Sequence, residues 1–298
     1  MSRIIVVTGC SSGFGRQVSE QLARKGDRVY ATMRATEAKN AETARSLRAL
    51  AAADGLDLRV LELDVTSTSS VNSAAAKILA ESGAPDVVIN NAGQMFVGFT
   101  EAFSPDELTK QLDINVVGIH RMNRAFLPAM RKRGKGLIIN LSSIAGRLSL
   151  PFFGVYDASK WAVEGYSMAL RGELASSGVD VVVVEPGPFA TELFPTSPRP
   201  EDAEGRVGTY PAVALQTFDG LGSAVEGMFK NPEVPTDPGL VVDQIIALTE
   251  MKAGTRPFRS VVGLDFGVRE RNTAAEPFDA AVLEAFGMTS FATLVPSK

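Results

Sequence analysis

The segment Tyr156-Asp157-Ala158-Ser159-Lys160 carries a phenol and an ammonium four residues apart, which puts both side chains on one face of a helix. A free tyrosine titrates near ~10 and transfers protons poorly at neutral pH unless a neighbouring positive charge favours its phenolate. Lys160 is placed to supply that charge. Taken alone, Tyr-x-x-x-Lys is a common surface pair. Here it follows Asn140-Leu141-Ser142-Ser143, where hydroxyls end an apolar run, so the segment is a candidate for acid–base work on an oxygen. His120 and Cys10 are the sole histidine and cysteine. Neither has a partner at ligand spacing, so no metal is expected and Cys10 reads as a small packing residue.

Upstream, Thr8-Gly9-Cys10-Ser11-Ser12-Gly13-Phe14-Gly15 follows a short apolar run and opens a helical pattern. Gly13 and Gly15 let the backbone approach a pyrophosphate, while the following helix end presents unpaired N–H groups and a positive dipole. Three glycines mean little by themselves; lying between a strand and a helix they mean considerably more. The second apolar run ends in Val29-Tyr30-Ala31-Thr32-Met33-Arg34, where an acid would bind a ribose 2′-hydroxyl and repel a 2′-phosphate. Thr32 stands there instead. Arg34, two residues on, is able to pair with a phosphate, and Ser11 or Ser12 adds a hydroxyl donor. NADP(H) is therefore the expected cofactor. The alternative, in which Arg34 merely caps the strand in solvent and both nicotinamide cofactors bind, stays open.

These residues need elements to hold them. Apolar runs at 4–7, 28–32, 58–63, 87–90, 137–141 and 179–185 alternate with helical patterns near 14–25, 37–53, 68–82, 105–133 and 155–176. That order predicts a doubly wound parallel sheet, an α/β fold with right-handed crossovers. Ser104-Pro105 before an acidic turn marks a helix start. Phe126 and Trp161 read as helix-packing residues, and Arg131, Lys132, Arg133 and Lys135 as a solvated helix end. Residues 186–238 concentrate proline and glycine and read as an irregular insertion, a substrate lid over the site or a disordered excursion. Beyond it a helix is expected over 241–251 and a strand over 260–262. Phe278, Val282, Leu283 and Phe286 suggest a short amphipathic helix in a C-terminal extension, 264–298. The whole, 1–298, is expected to be one domain.

With 45% hydrophobic and 21% charged residues the chain has the composition of a globular protein with a substantial core, which excludes a disordered or collagen-like chain. A net charge of -4 without a dense basic block argues against nucleic-acid binding. The N-terminal segment lacks a signal-peptide core and no apolar run is long enough to cross a bilayer, so a cytoplasmic address and no membrane span are expected.

The ordered motifs over about 3–191 resemble the classical short-chain dehydrogenase/reductase family. Thr8, Gly9, Gly13 and Gly15 match its TGxxxGxG turn, and Ser143, thirteen residues before Tyr156, matches its spacing and is selected over Ser142. The resemblance implies that Asp64-Val65 contacts adenine and that Asn90-Asn91-Ala92-Gly93 supports sheet and cofactor. It also implies that Pro186-Gly187, with Phe189 and Thr191, holds the carboxamide, that Phe14 lies in the cofactor turn, and that Asn115 keeps a water in a proton relay. By the same token Tyr156 is the general acid, Ser143 shares the substrate oxygen, and Lys160 lowers the tyrosine pKa and holds the ribose. Within the family, Val29-Tyr-Ala-Thr-Met-Arg, Phe126-Leu-Pro and Tyr156-x-Ala-Ser-Lys-x-Ala-x-Glu-Gly look like hydroxysteroid and retinol dehydrogenases. A bulky apolar carbonyl or alcohol is thus the expected substrate, with Gln94, Met95, Phe96, 148–153, Phe189, Leu193 and Phe194 near it. A homodimer or homotetramer is the assembly the resemblance implies. A catalytically silent NADP(H)-binding regulator and an epimerase or dehydratase are rival readings, and the intact Ser, Tyr, Lys and Asn set favours redox chemistry over both.

Overall fold

The computed structural model describes residues 2–295. Along the chain lie β1 (Ile4–Val7), α1 (Gly13–Arg24), β2 (Arg28–Met33), α2 (Ala41–Asp54), β3 (Leu58–Glu62), α3 (Thr68–Ser82) and β4 (Val87–Asn90). Then follow α4 (Pro105–Leu112), α5 (Gly118–Arg133), β5 (Gly136–Leu141), α6 (Gly154–Leu174) and β6 (Val179–Pro186). The one-turn helix α7 (Ala203–Arg206) and the long α8 (Ala212–Lys230) precede α9 (Gly239–Glu250), β7 (Arg259–Val262) and α10 (Val268–Ala285).

The strands form one parallel sheet in the order β3-β2-β1-β4-β5-β6-β7. Side chains alternate across it, as strand geometry requires. Ile5, Val7, Ile139 and Val182 meet Leu22 of α1, Leu47 of α2 and Ile245 of α9. On the other face Val6, Val88, Ile138 and Val181 meet Ile78 of α3, Phe126 of α5 and Leu174 of α6. Each fully buried aliphatic side chain contributes roughly 1.5–3 kcal/mol, so both layers hold the sheet rigidly. Strand order reverses between β1 and β4, and the crevice beyond their carboxyl ends is where such a sheet receives a ligand.

Ser104 starts α4 with a full capping box. Its Oγ accepts from the Glu107 N–H at 3.2 Å, and its own N–H donates to Glu107 Oε2 at 2.8 Å. The single helix expected over 105–133 is widened by a π turn at Asp113–Val117, which carries Asn115. Arg133 is not merely solvated: it donates to the carbonyls of Ala84 and Pro85, both at 2.6 Å, and ties the end of α5 to the start of β4. Trp161 does not pack in the core either. It is partly exposed, with the guanidinium groups of Arg147 and Arg271 5.9 and 5.5 Å from its ring centre.

The region 186–238 is less irregular than its composition suggests, because it contains the 19-residue α8. Gly220, Gly222 and Gly227 interrupt the pattern in sequence, and each costs about 1 kcal/mol in a helix interior. Leu221, Val225 and Met228 of α8 are half-buried on the face that borders the cavity. The expected terminal helix exists as α10, but Phe278, Val282 and Phe286 point outward rather than into a core. Of the expected extension 264–298, residues 296–298 lie outside the described residues. Among the described residues no helix is long and apolar enough to cross a membrane.

Candidate active site

At the end of β1 the chain turns sharply through Gly9, whose φ of +72° suits glycine, and a Cβ there would meet the Ala92 Cα at 2.8 Å. The turn is sewn to β4 by Thr8 and Asn91. Thr8 Oγ1 accepts from the N–H groups of Asn91 and Ala92 at 3.1 and 3.0 Å, while Asn91 Nδ2 donates to the carbonyls of Thr8 and Gly9 at 2.9 and 3.1 Å. Asn91 is therefore the brace that holds the glycine turn open over the first turn of α1. Gly15 packs beneath it, against Gly9 and Asn91. Ser12 precedes α1 with its hydroxyl uncommitted to the helix, so the helix N–H groups and that hydroxyl are available to an anion.

One cavity of about 770 Å³ runs along the carboxyl ends of the strands. Its walls include Gly9, Ser11, Ser12, Gly13 and Phe14 at the turn, and Arg34, Asp64 and Val65 at one end. Asn91, Ala92 and Gly93 line its middle, and Ser143, Tyr156, Lys160, Pro186, Gly187, Phe189 and Thr191 complete it. Every expected catalytic and cofactor residue thus borders one space except Gly15 and Asn115, while Phe96, expected near the substrate, is buried away from it against Phe103. Thr32 is fully buried, with its hydroxyl donated to the Val7 carbonyl at 2.9 Å, and cannot reach a ligand. Arg34 is exposed and its guanidinium pairs with nothing among the described residues; Lys39 lines the same end.

Ser143 leaves β5 in an extended conformation and caps the short turn that follows, its Oγ accepting from the Ala145 N–H at 3.1 Å. Tyr156, the third residue of α6, is buried, and the Ser143 hydroxyl near it favours its phenolate. Burial pushes its pKa up to about 12, against the help of Ser143, and the neighbouring Asp157 charge pushes the same way. Lys160 is also buried, which brings its pKa down to about 8 although Glu164 favours its charge. Its Nζ lies 5.6 Å from the Tyr156 ring centre and donates to the Leu141 carbonyl at 2.7 Å. Burial sets the direction of the Tyr156 shift, and Ser143 is the neighbour that opposes it. Tyr156 as folded holds its proton firmly and is a donor.

Asn115 stands behind the wall. Its Oδ1 accepts from the Gln94 N–H at 2.9 Å, and its Nδ2 donates to the Gln94 carbonyl at 2.9 Å and to Ser159 Oγ at 3.0 Å. The side chain is fully engaged in fixing the segment after β4 to α6, so it positions rather than touches. Three features of the cavity carried no local signal along the chain: Lys39, the carboxylate of Asp157, and the apolar face of α8. The last supplies Leu221, Val225, Met228 and Phe229 to the cavity.

The cradle fits a dinucleotide. A Cβ at Gly9 or Gly187 would fill space beside the cavity or strike backbone, and uncommitted donors cluster where phosphates would lie. Residues 3–202 match the family model described as short chain dehydrogenase. The chain is 35% identical to a 3-ketodihydrosphingosine reductase of Bacteroides thetaiotaomicron, over 88% of each chain. It is 38% identical to estradiol 17-beta-dehydrogenase 1 of Rattus norvegicus, over 98% of this chain and 83% of that one. The crystal structure of a short-chain dehydrogenase from Streptomyces avermitilis superposes with a TM-score of 0.75 at 32% identity, covering 96% of this chain and 97% of that one.

Proposed function

The chain belongs to the short-chain dehydrogenase family, and from that premise we propose that it is an NADP(H)-dependent oxidoreductase interconverting a bulky apolar ketone or aldehyde with its alcohol. The observation that carries this reading is the convergence of Ser143, Tyr156 and Lys160 on the same cavity as the glycine turn, at the switch point of the sheet. When bound, the nicotinamide delivers a hydride to the carbonyl carbon or takes one from the alcohol carbon.

The rest is done by this chain. The backbone at Gly9 and Gly13 and the Ser11 and Ser12 hydroxyls hold the pyrophosphate end, Asp64 and Val65 border the adenine, and Pro186, Gly187, Phe189 and Thr191 border the nicotinamide. The hydroxyls of Ser143 and Tyr156 bind the carbonyl oxygen and stabilise the negative charge that grows there. Tyr156 Oη gives its proton to that oxygen as the alcohol forms, and the high pKa set by burial keeps that proton on hand at neutral pH. Lys160 holds the ribose. In oxidation the Tyr156 oxygen takes the proton back.

Preference for the 2′-phosphate is supported by exposed Arg34 and by Lys39 at one end of the cavity, with no acid at the end of β2. The apolar substrate is supported by Met95, Leu148, Phe153, Leu193, Phe194 and the inner face of α8, and by relatives named for ketodihydrosphingosine and estradiol. We place the lid at 186–238 and the C-terminal extension from 264. A homodimer or homotetramer and a cytoplasmic location belong to the same proposal. The first is supported by the exposed apolar row of Phe278, Val282 and Phe286, and the second is compatible with a single thiol that is buried and unpaired.

Following NADPH oxidation against a panel of apolar ketones and aldehydes tests the reaction. Turnover of at least one bulky member is expected. Tight NADPH binding with no turnover anywhere would favour the silent regulator instead.

A further inference from the structure

The substrate end of the cavity is mostly apolar and carries two carboxylates that the mechanism above does not use, Glu192, which is exposed on the lid, and Asp157, which is buried. Asp157 directly follows Tyr156 in the first turn of α6, is 4% exposed, and borders the cavity. Its Oδ2 accepts from the Leu150 N–H at 3.1 Å, the one hydrogen bond the carboxylate makes among the described residues. No cation pairs with it there. Tyr156 and Lys160 stand on its own helix, Glu192 lines the same cavity from the lid, and Arg147 precedes the loop whose Leu150 N–H donates to Asp157. Lys160 is committed to the Leu141 carbonyl and Arg147 to Asn272.

A latch on the 147–153 loop would need only an acceptor, and an acid that merely favours a helix N-terminus belongs in solvent. A carboxylate kept in a mostly apolar pocket with a single hydrogen bond is costly unless something pairs with it. Burial holds its pKa up at about 7, so the ionised form is within easy reach and a bound cation would stabilise it.

We propose that Asp157 is a specificity-determining residue that binds a protonated amine on a carbon near the reacting carbonyl. The preferred substrate class is then an amphiphilic amino ketone, or the matching amino alcohol, whose apolar chain lies along α8. This rests on the redox reading above. The amine is unchanged by the reaction: the carbonyl carbon gains a hydride from the reduced nicotinamide, its oxygen gains the Tyr156 proton, and the ammonium only anchors.

The test compares a long-chain 2-amino-3-ketone with the 3-ketone of equal length lacking the amine. The wild-type protein should favour the amino ketone in kcat/KM by about tenfold to a hundredfold, the usual worth of a charge-assisted bond. Asp157→Asn keeps an acceptor for Leu150 and removes the charge, so that ratio should fall towards one. A wild-type ratio near one overturns the proposal, as does an Asp157→Asn variant that loses both substrates in equal proportion, the mark of a latch alone. A measurement independent of the variant is inhibition of the wild type by a long-chain primary amine, which should exceed inhibition by the alcohol of the same length; equal inhibition also overturns it. If neither ketone is reduced although NADPH binds, the redox reading itself has failed and this proposal falls with it.

Discussion

Tyr156 and Lys160 lie within contact range of each other, yet each is governed more by burial than by its partner. The phenol is pushed up to about 12 and the ammonium down to about 8, both because the uncharged form suits a dry site. The phenol is thereby primed to give a proton in reduction. Removing its hydroxyl in Tyr156→Phe is expected to lower kcat by on the order of 10² to 10⁴ with NADPH binding retained, and near-normal turnover would refute its role as the acid. At the far end of the cavity Arg34 is exposed and free to meet a 2′-phosphate. Arg34→Ala should weaken NADPH by roughly ten- to a hundredfold in KM while leaving NADH little affected. Lys39 would keep part of the preference, but an unchanged ratio of the two cofactors would remove Arg34 from the phosphate site.

At the scale of elements, function depends on what joins them. Asn91 fixes the glycine turn to β4, and Asn115, carried on a π turn, fixes the segment after β4 to α6 through Gln94 and Ser159. Neither side chain need touch a reactant to matter. The roof is different in kind. Phe218 of α8 meets Phe99 and Phe152 at ring separations of 5.3 and 5.1 Å, and Arg199 lies 5.1 Å from its ring centre. The α8 glycines serve no steric purpose, since a Cβ at Gly220 or Gly222 would meet nothing within 4 Å. Replacing both with alanine should therefore stabilise the helix by about 0.5–1 kcal/mol per site. The readout is resistance of the 212–230 segment to limited proteolysis; increased cleavage there would show that the helix is not the resting form of the roof.

Across the whole molecule, buried charge ties the catalytic helix to the C-terminal part of the chain. Arg259 Nε of β7 donates to Glu164 Oε2 at 3.0 Å, Asn272 Nδ2 of α10 donates to Glu185 Oε2 at 2.6 Å, and Arg147 Nε donates to Asn272 Oδ1 at 2.8 Å. Burial also holds carboxyl groups above their usual range. Asp157 sits at about 7 against an ordinary 3.8, and Glu185 is raised as well, chiefly by desolvation and then by Glu164. Such a group keeps its proton in the fold after the unfolded chain has lost it. Its contribution to stability is fully present below the unfolded pKa and is lost as pH rises through the folded one. Melting curves recorded from about pH 4 to about pH 8 should accordingly show the wild type losing ground to Asp157→Asn as pH increases. Parallel curves would mean that Asp157 is ionised in the fold throughout.

The alternation of short apolar runs with helical spacing was enough to determine the doubly wound sheet, because strand and helix periods are properties of local side-chain order. The same holds for the Thr8–Gly15 turn and for the Ser143, Tyr156 and Lys160 spacing, whose members are fixed by short stretches of chain. What escaped depends on packing between distant segments. Gly220 and Gly222 concealed α8, since the apolar face that stabilises it needs the cavity on the other side. Trp161, Phe278 and Phe286 have core-like side chains and yet face outward, which no local pattern records. The sign of the Tyr156 shift was likewise undetermined by a nearby lysine, because desolvation is set by everything that closes over the site. The opening residues were legible as a set; their protonation, and the carboxylate beside them, were decided only by the tertiary structure that removes water from around them.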